Sequence, residues 1–165
     1  MNNSLAKLLD KAIKDYSAEL RPLYVKLANQ AQNYFVSSWR KQGWDGVSWK
    51  EVKRREPDTN AYKYPKKKGL QRQTSPILVG AGYKKRGGTL RRAVSNMMST
   101  AQYSTFGVKM IVNLPYAKIH NEGGKGKAFG KHSFTMPKRQ FIGQTRELTD
   151  KQLKLIKTEI DKIFK

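Results

Sequence analysis

A chain of 165 residues has the length of one ordinary domain, or of one domain with an extended arm. Its hydrophobic content of 38% and mean hydropathy of -0.75 leave a modest core. The absence of cysteine excludes a disulfide framework and every thiolate metal site.

No apolar run approaches the roughly 20 residues needed to span a bilayer. The opening "MNNSLAKLLDKAIKDYSAEL" carries charge too often for a secretory leader, so a soluble product made in the cytoplasm is expected. Charge dominates the composition: 34 basic and 12 acidic residues leave a net +22. The excess is uneven, at +4 over residues 1–50, +10 over 51–100 and +8 over 101–165. Self-repulsion of this size favours an anionic partner: DNA, RNA, an acidic protein surface or anionic lipid.

In chain order, Leu5, Leu8, Leu9, Ala12, Tyr16, Leu20, Leu23, Leu27, Ala31, Tyr34 and Phe35 recur at steps of three and four. They make one apolar stripe of an amphipathic helix. Asn3 or Ser4 is the expected N-cap. Pro22 interrupts the run without changing its phase, which predicts one kinked helix or two nearly collinear ones. Trp39, Trp44 and Trp49 follow at a spacing of five, which fits neither helix nor strand, and "WDG" reads as a turn. Residues 53–76 are polar, basic and punctuated by proline, as expected of a long loop or arm that orders in an assembly.

From Ile77 the pattern turns to β. "ILV" is short and apolar, the glycines of "GAGYKKRGG" break it, and "TLRRAVSNMM" reads as a strand. In "STFGVKMIVN", Phe106, Val108, Met110 and Val112 alternate with their neighbours, predicting a strand with one buried face. "YAKIHNEGG" predicts a short helix stopped by Gly123 and Gly124. A Gly/Lys-rich loop then runs to Lys131, and "SFTMPKRQFIG" reads as extended. Thr149 to Gln152 fits a capping box ahead of a last helix with Leu153, Ile156, Ile160 and Ile163 on its inner face. The expected class is α+β: a long N-terminal helix, an antiparallel sheet of three or four strands, a C-terminal helix and a basic arm, in one domain spanning 1–165.

"LPYAKIHNEGG" followed by "MPKRQFIGQTREL" resembles the phage virion morphogenesis or tail-completion family, which is similar to the neck and tail-terminator proteins of long-tailed phages. In that family a "YA-x-x-H-x-x-G" segment precedes a glycine-rich loop, "P-x-R-x-F-(I/L)-G" and a C-terminal helix. Tyr116, Ala117, His120, Gly123, Pro137, Arg139, Phe141, Ile142 and Gly143 fill those positions here. Gly88, Leu90 and Arg91 fit the "G-x-L-R" start of a sheet strand, and "FVSSWRKQGWDGVSW" resembles the aromatic "W-G-x-x-W" segment. The resemblance runs from about residue 30 to the end. It implies a small α+β subunit of a closed ring, with a hexamer among the admissible sizes, seated at the head–tail junction or tail end of the virion. Its implied partners are copies of itself, neighbouring neck, connector or tail-tube proteins, and DNA in the channel. No membrane, cofactor, metal or catalysis is implied.

The residues themselves point the same way. His120 has no companion nucleophile or ligand set, since His132 is the only other histidine, so a structural role in a turn is expected. "GAGYKKRGG" and "GGKGKAFGK" match neither G-x-x-x-x-G-K-[ST] nor a dinucleotide fingerprint. The three tryptophans read as core and subunit interface in preference to base-stacking platforms. Lys53, Arg54, Arg55, Lys66, Lys67, Lys68, Lys84, Lys85 and Arg86 are the expected contacts to a polyanion. A free nucleic-acid-binding protein is the alternative, favoured by the charge and by Tyr62, Tyr64 and Tyr83, but no recognised DNA- or RNA-reading motif accompanies them.

Overall fold

The structure, a computed structural model, describes residues 2–64, 76–79, 89–128, 130 and 132–163. Helix and strand are mixed, and the chain opens and closes on helices. Helix α1 spans Asn2–Lys41 and passes through Pro22 without interruption. It already includes Asn3 and Ser4, so neither is its cap. Ala28, Ala31, Phe35 and Trp39, at steps of three and four, are buried, so the C-terminal half of the apolar stripe builds the core. Arg40 and Lys41 place positive charge at the helix's negative end.

The WDG turn forms as expected. Strands β1 (Gly43–Trp44) and β2 (Val47–Ser48) pair antiparallel, with Trp44 opposite Val47. Asp45 and Gly46 both have positive φ, 50° and 78°, the left-handed pair that suits a two-residue hairpin turn. Tight reversal explains the five-residue tryptophan spacing. It folds Trp44 and Trp49 back toward Trp39, and all three are buried.

The beginning of the expected arm is folded. Lys53–Arg55 form a 3-10 turn and Asn60–Lys63 a helical turn, α2, whose N-cap Thr59 accepts from the Tyr62 amide. Residues 65–75, with Lys66, Lys67 and Lys68, and residues 80–88, with Tyr83, Lys84, Lys85, Arg86 and Gly88, lie outside the described residues.

The β reading of 77–113 needs correction. Ile77 is buried in a turn, and Leu78 has φ 57°. "TLRRAVSNMM" is helical: α3 spans Thr89–Ser95 and a 3-10 turn spans Met97–Thr100. Leu90, Val94 and Met97 are buried at steps of four and three, a helical period that packs α3 on α1. Thus Leu90 and Arg91 belong to a helix where a sheet strand was expected. Beyond it, among the described residues, β3 (Gln102–Ser104) pairs only with β4 (Gly107–Lys109). Phe106, expected on a buried face, sits at the tip of this hairpin and is 95% exposed. Met110, Val112 and Leu114 do pack against the core, but from an irregular segment.

Helix α4 (Ala117–Glu122) ends at Gly123 as expected. The Gly/Lys-rich segment after it is not a loop: β5 (Gly124–Ala128) pairs with β6 (His132–Met136) over five residue pairs. Among the described residues there are therefore three separate two-stranded units, in place of one sheet of three or four strands.

The last helix, α5, spans Arg146–Ile163. It starts before the expected capping box, because buried Thr145 caps it: Thr145 Oγ1 accepts from the Leu148 amide at 3.1 Å. That start rotates the inner face to Leu148, Gln152, Leu155, Ile156 and Glu159, which turns toward α1. Leu153 and Ile160, expected inside, are 57% and 43% exposed. The stripe read from sequence avoided Gln152 and Glu159 because they are polar. In the fold Glu159 is matched by Lys26 of α1 at 2.6 Å.

Candidate functional site

The segments "YAKIHNEGG" and "MPKRQFIGQTREL" meet in one knot, with the tryptophan hairpin as its third wall. Phe141 is 1% exposed and packs on Trp39, ring centroids 5.1 Å apart. Trp49 meets Trp39 edge-on at 5.7 Å and donates from Nε1 to the Gln140 carbonyl at 2.7 Å. Trp44 packs against Phe35 and Tyr34. A Cβ on Gly143 would sit 3.6 Å from its ring.

Hydrogen bonds fasten α4 to the segment after Pro137, which is half-buried. The Arg139 amide donates to the His120 carbonyl at 2.9 Å. Asn121 Oδ1 accepts from the amides of Phe141 and Ile142, both at 3.0 Å. Gly123 has φ 74°, and a Cβ there would lie 2.7 Å from the Lys138 nitrogen. Both its backbone angle and this close approach require glycine.

Arg139 is the knot's buried cation, 7% exposed. Its Nε donates to the Lys50 carbonyl at 2.9 Å and its Nη2 to the Glu51 carbonyl at 3.0 Å. The planar fork is what allows one side chain to hold two successive carbonyls. Burial lowers its pKa from the ordinary value, opposed by the Glu51 carboxylate.

His120 stands beside it, half-buried, with Tyr116 edge-on at 5.9 Å and itself 40% exposed. Burial pushes the His120 pKa down, and the Arg139 charge pushes it further. Its Nδ1 is buried with no hydrogen-bond partner among the described residues. Neither a nucleophile nor a carboxylate is hydrogen-bonded to it, and no group of three His, Asp or Glu capable of holding a metal occurs among the described residues. The arrangement orients backbone and packs rings.

Lys53, Arg54 and Arg55 were expected on a free basic arm, and two of them are engaged by the protein itself. Arg54 Nη2 donates to the Pro76 carbonyl at 2.9 Å, and burial lowers its pKa. Arg55 pairs with Glu51 at 3.2 Å. Lys53 is exposed. Asn121, Gln140 and Thr145 join the knot although the sequence reading passed over them. Asn121 carried one signal, its place inside the "YAKIHNEGG" segment, but its bonds to the Phe141 and Ile142 amides depend on an irregular segment that arrives twenty residues later.

The outer surface is different in kind. A shallow groove of about 510 Å³ is bounded by Tyr24, Ala28, Phe35, Phe106, Ile142 and Ile156. Besides Phe106, Val47 is 72% exposed and Tyr64 76%. No described helix is long and apolar enough to cross a membrane. Comparison of the chain with protein-family models, curated proteins and solved structures finds no match.

Proposed function

We propose that this chain is a structural, non-enzymatic subunit of a tailed-phage virion, a tail-completion or neck protein that assembles with copies of itself into a ring. One observation carries the reading. The segments resembling the tail-completion family, separate in sequence, interlock through Arg139, His120, Asn121, Phe141 and the tryptophans, and Arg139, Phe141 and all three tryptophans are buried. The residues that carry the resemblance pack and hydrogen-bond within the fold, which supports a structural role for them. The exposed Phe106 tip and the open edges of short two-stranded units supply surface for neighbouring subunits. The working mechanism is interfacial: complementary faces close a ring that joins head to tail or ends the tail.

The second reading, a free nucleic-acid-binding protein acting on phage DNA, draws on the net +22. Light scattering and negative-stain microscopy of the purified protein separate the two. Ring-shaped oligomers, formed alone or on purified tails, are the expected result. A protein that stays monomeric in both settings and binds free DNA would replace the first reading by the second. Complementation adds the biological arm: a phage lacking the gene should accumulate unjoined heads and tails, and the cloned gene should restore joining.

A further inference from the structure

The β5–β6 ribbon has two unlike faces, set by its register. Lys125 stands opposite Thr135 and Lys127 opposite Ser133, so these four side chains share one face. All four are exposed. Gly126, opposite Phe134, belongs to the other face. A Cβ on Gly126 would lie 2.6 Å from Phe134 Cζ and 2.9 Å from Ile119 Cδ1, so this inner face is filled by apolar atoms. The outer face carries only cations and hydroxyl donors.

Nothing in the neighbouring sequence neutralises it. Between Glu122 and Glu147 the chain contains no carboxylate but has Lys125, Lys127, Lys138, Arg139 and Arg146 among its basic residues. Arg139 turns inward to the knot, while neither Lys125 nor Lys127 makes an ion pair among the described residues.

We propose that this outer face is a docking surface for duplex DNA, gripping the phosphate backbone without reading sequence. Two residues along a strand advance about 6.8 Å. Phosphates on one DNA strand rise about 3.4 Å each, so Lys125 and Lys127 are spaced to meet phosphates one or two steps apart. Hydroxyls such as those of Ser133 and Thr135 are regular phosphate donors, and contacts of this kind set position without specifying bases. The hollow at these strands, about 680 Å³ and lined by Lys125, Gly126, Lys127, Ser133, Phe134 and Thr135, is open to solvent and holds no planar fork for reading bases, which is why the contact is to backbone. The assignment belongs to the subunit and does not depend on ring formation.

The test uses the full chain and a fluorescein-labelled duplex of mixed sequence, titrated by anisotropy over a salt series. Lys125→Gln with Lys127→Gln should weaken binding roughly tenfold to a hundredfold near 0.1 M salt and reduce the salt slope by about 1.8. Lys154→Gln with Lys157→Gln, the same loss of charge on exposed α5 positions, should change affinity by no more than a few-fold. Lys125→Arg with Lys127→Arg should bind as the parent does. Equal effects of the ribbon and α5 pairs would overturn the proposal, as would binding by the parent to poly-glutamate but not to duplex, which would assign the face to acidic protein. Should the ribbon variant unfold, acetylation of the parent decides: Lys125 and Lys127 are expected to be shielded by duplex, and equal labelling with and without it overturns the idea.

Discussion

Only Pro137 and Lys138 separate the β5–β6 ribbon from the knot at Arg139–Phe141, yet the two regions treat charge in opposite ways. In the knot, Arg139 is drawn inside and both its bonds go to backbone carbonyls of the tryptophan segment. In the ribbon, two lysines stand outward beside two hydroxyls. A cation is thus a fastener where carbonyls converge on it and a contact surface where nothing does. Basic composition alone does not separate these uses, because a guanidinium that satisfies buried carbonyls and an ammonium left in water count the same toward net charge.

If the knot is the stabilising region, the largest loss comes from its centre. Phe141→Ala should cost about 3–5 kcal/mol in urea unfolding. A loss below about 1 kcal/mol would show that the core lies elsewhere. Arg139→Met keeps much of the volume but strips the Lys50 and Glu51 carbonyls of their donor. It should cost about 1.5–3 kcal/mol by the same measurement. A neutral result would make the buried cation dispensable and weaken the contrast with the ribbon. Thr145→Ala removes the α5 cap and should cost about 1 kcal/mol. No change in melting temperature would mean that the helix start is held by other contacts.

His120 sharpens the comparison through pH. Its folded-state pKa is depressed by burial and then by Arg139. Below the ordinary imidazole pKa of about 6.5 the unfolded chain therefore binds more protons than the folded one. Stability is present above that pH and is lost as pH falls toward the folded value. Glu51 and Glu147, whose pKa values are also lowered, titrate below that window. His120→Gln should flatten the fall in melting temperature between pH 7 and pH 5, and an unchanged slope would show that His120 does not feel the knot.

The smallest effect on stability belongs to the hairpin tip. Phe106→Ser should change unfolding by less than about 0.5 kcal/mol, because the ring is already in water. In light scattering the same variant should assemble less well than the parent. A large loss of stability would place the tip in the core, and unchanged assembly would remove Phe106 from the subunit contact.

What the sequence determined by itself about this protein is what local energetics decide. Helix α1 ran unbroken through Pro22, with the stripe buried from Ala28 onward while Leu8 stayed exposed, and Asp45–Gly46 dictated a tight turn. Gly123 ended α4, and the tryptophans belonged inside. Each depends on bonds and side chains within a few residues. Only the tertiary structure decided the rest. The strand reading of "TLRRAVSNMM" overlooked the helical period of Leu90, Ala93, Val94, Met97 and Met98, and the fold decided only that this face packs on α1. The inner face of α5 came to include Glu159 because Lys26, 133 residues away, supplies its counter-charge. Phe106 lay outside because the expected strand folded back on itself and put it in the turn between β3 and β4. Arg139 became a fastener, and Lys125 and Lys127 a surface, for the same physical reason. Whether a charge is satisfied internally is set by carbonyls and carboxylates that the chain brings close only when it is folded.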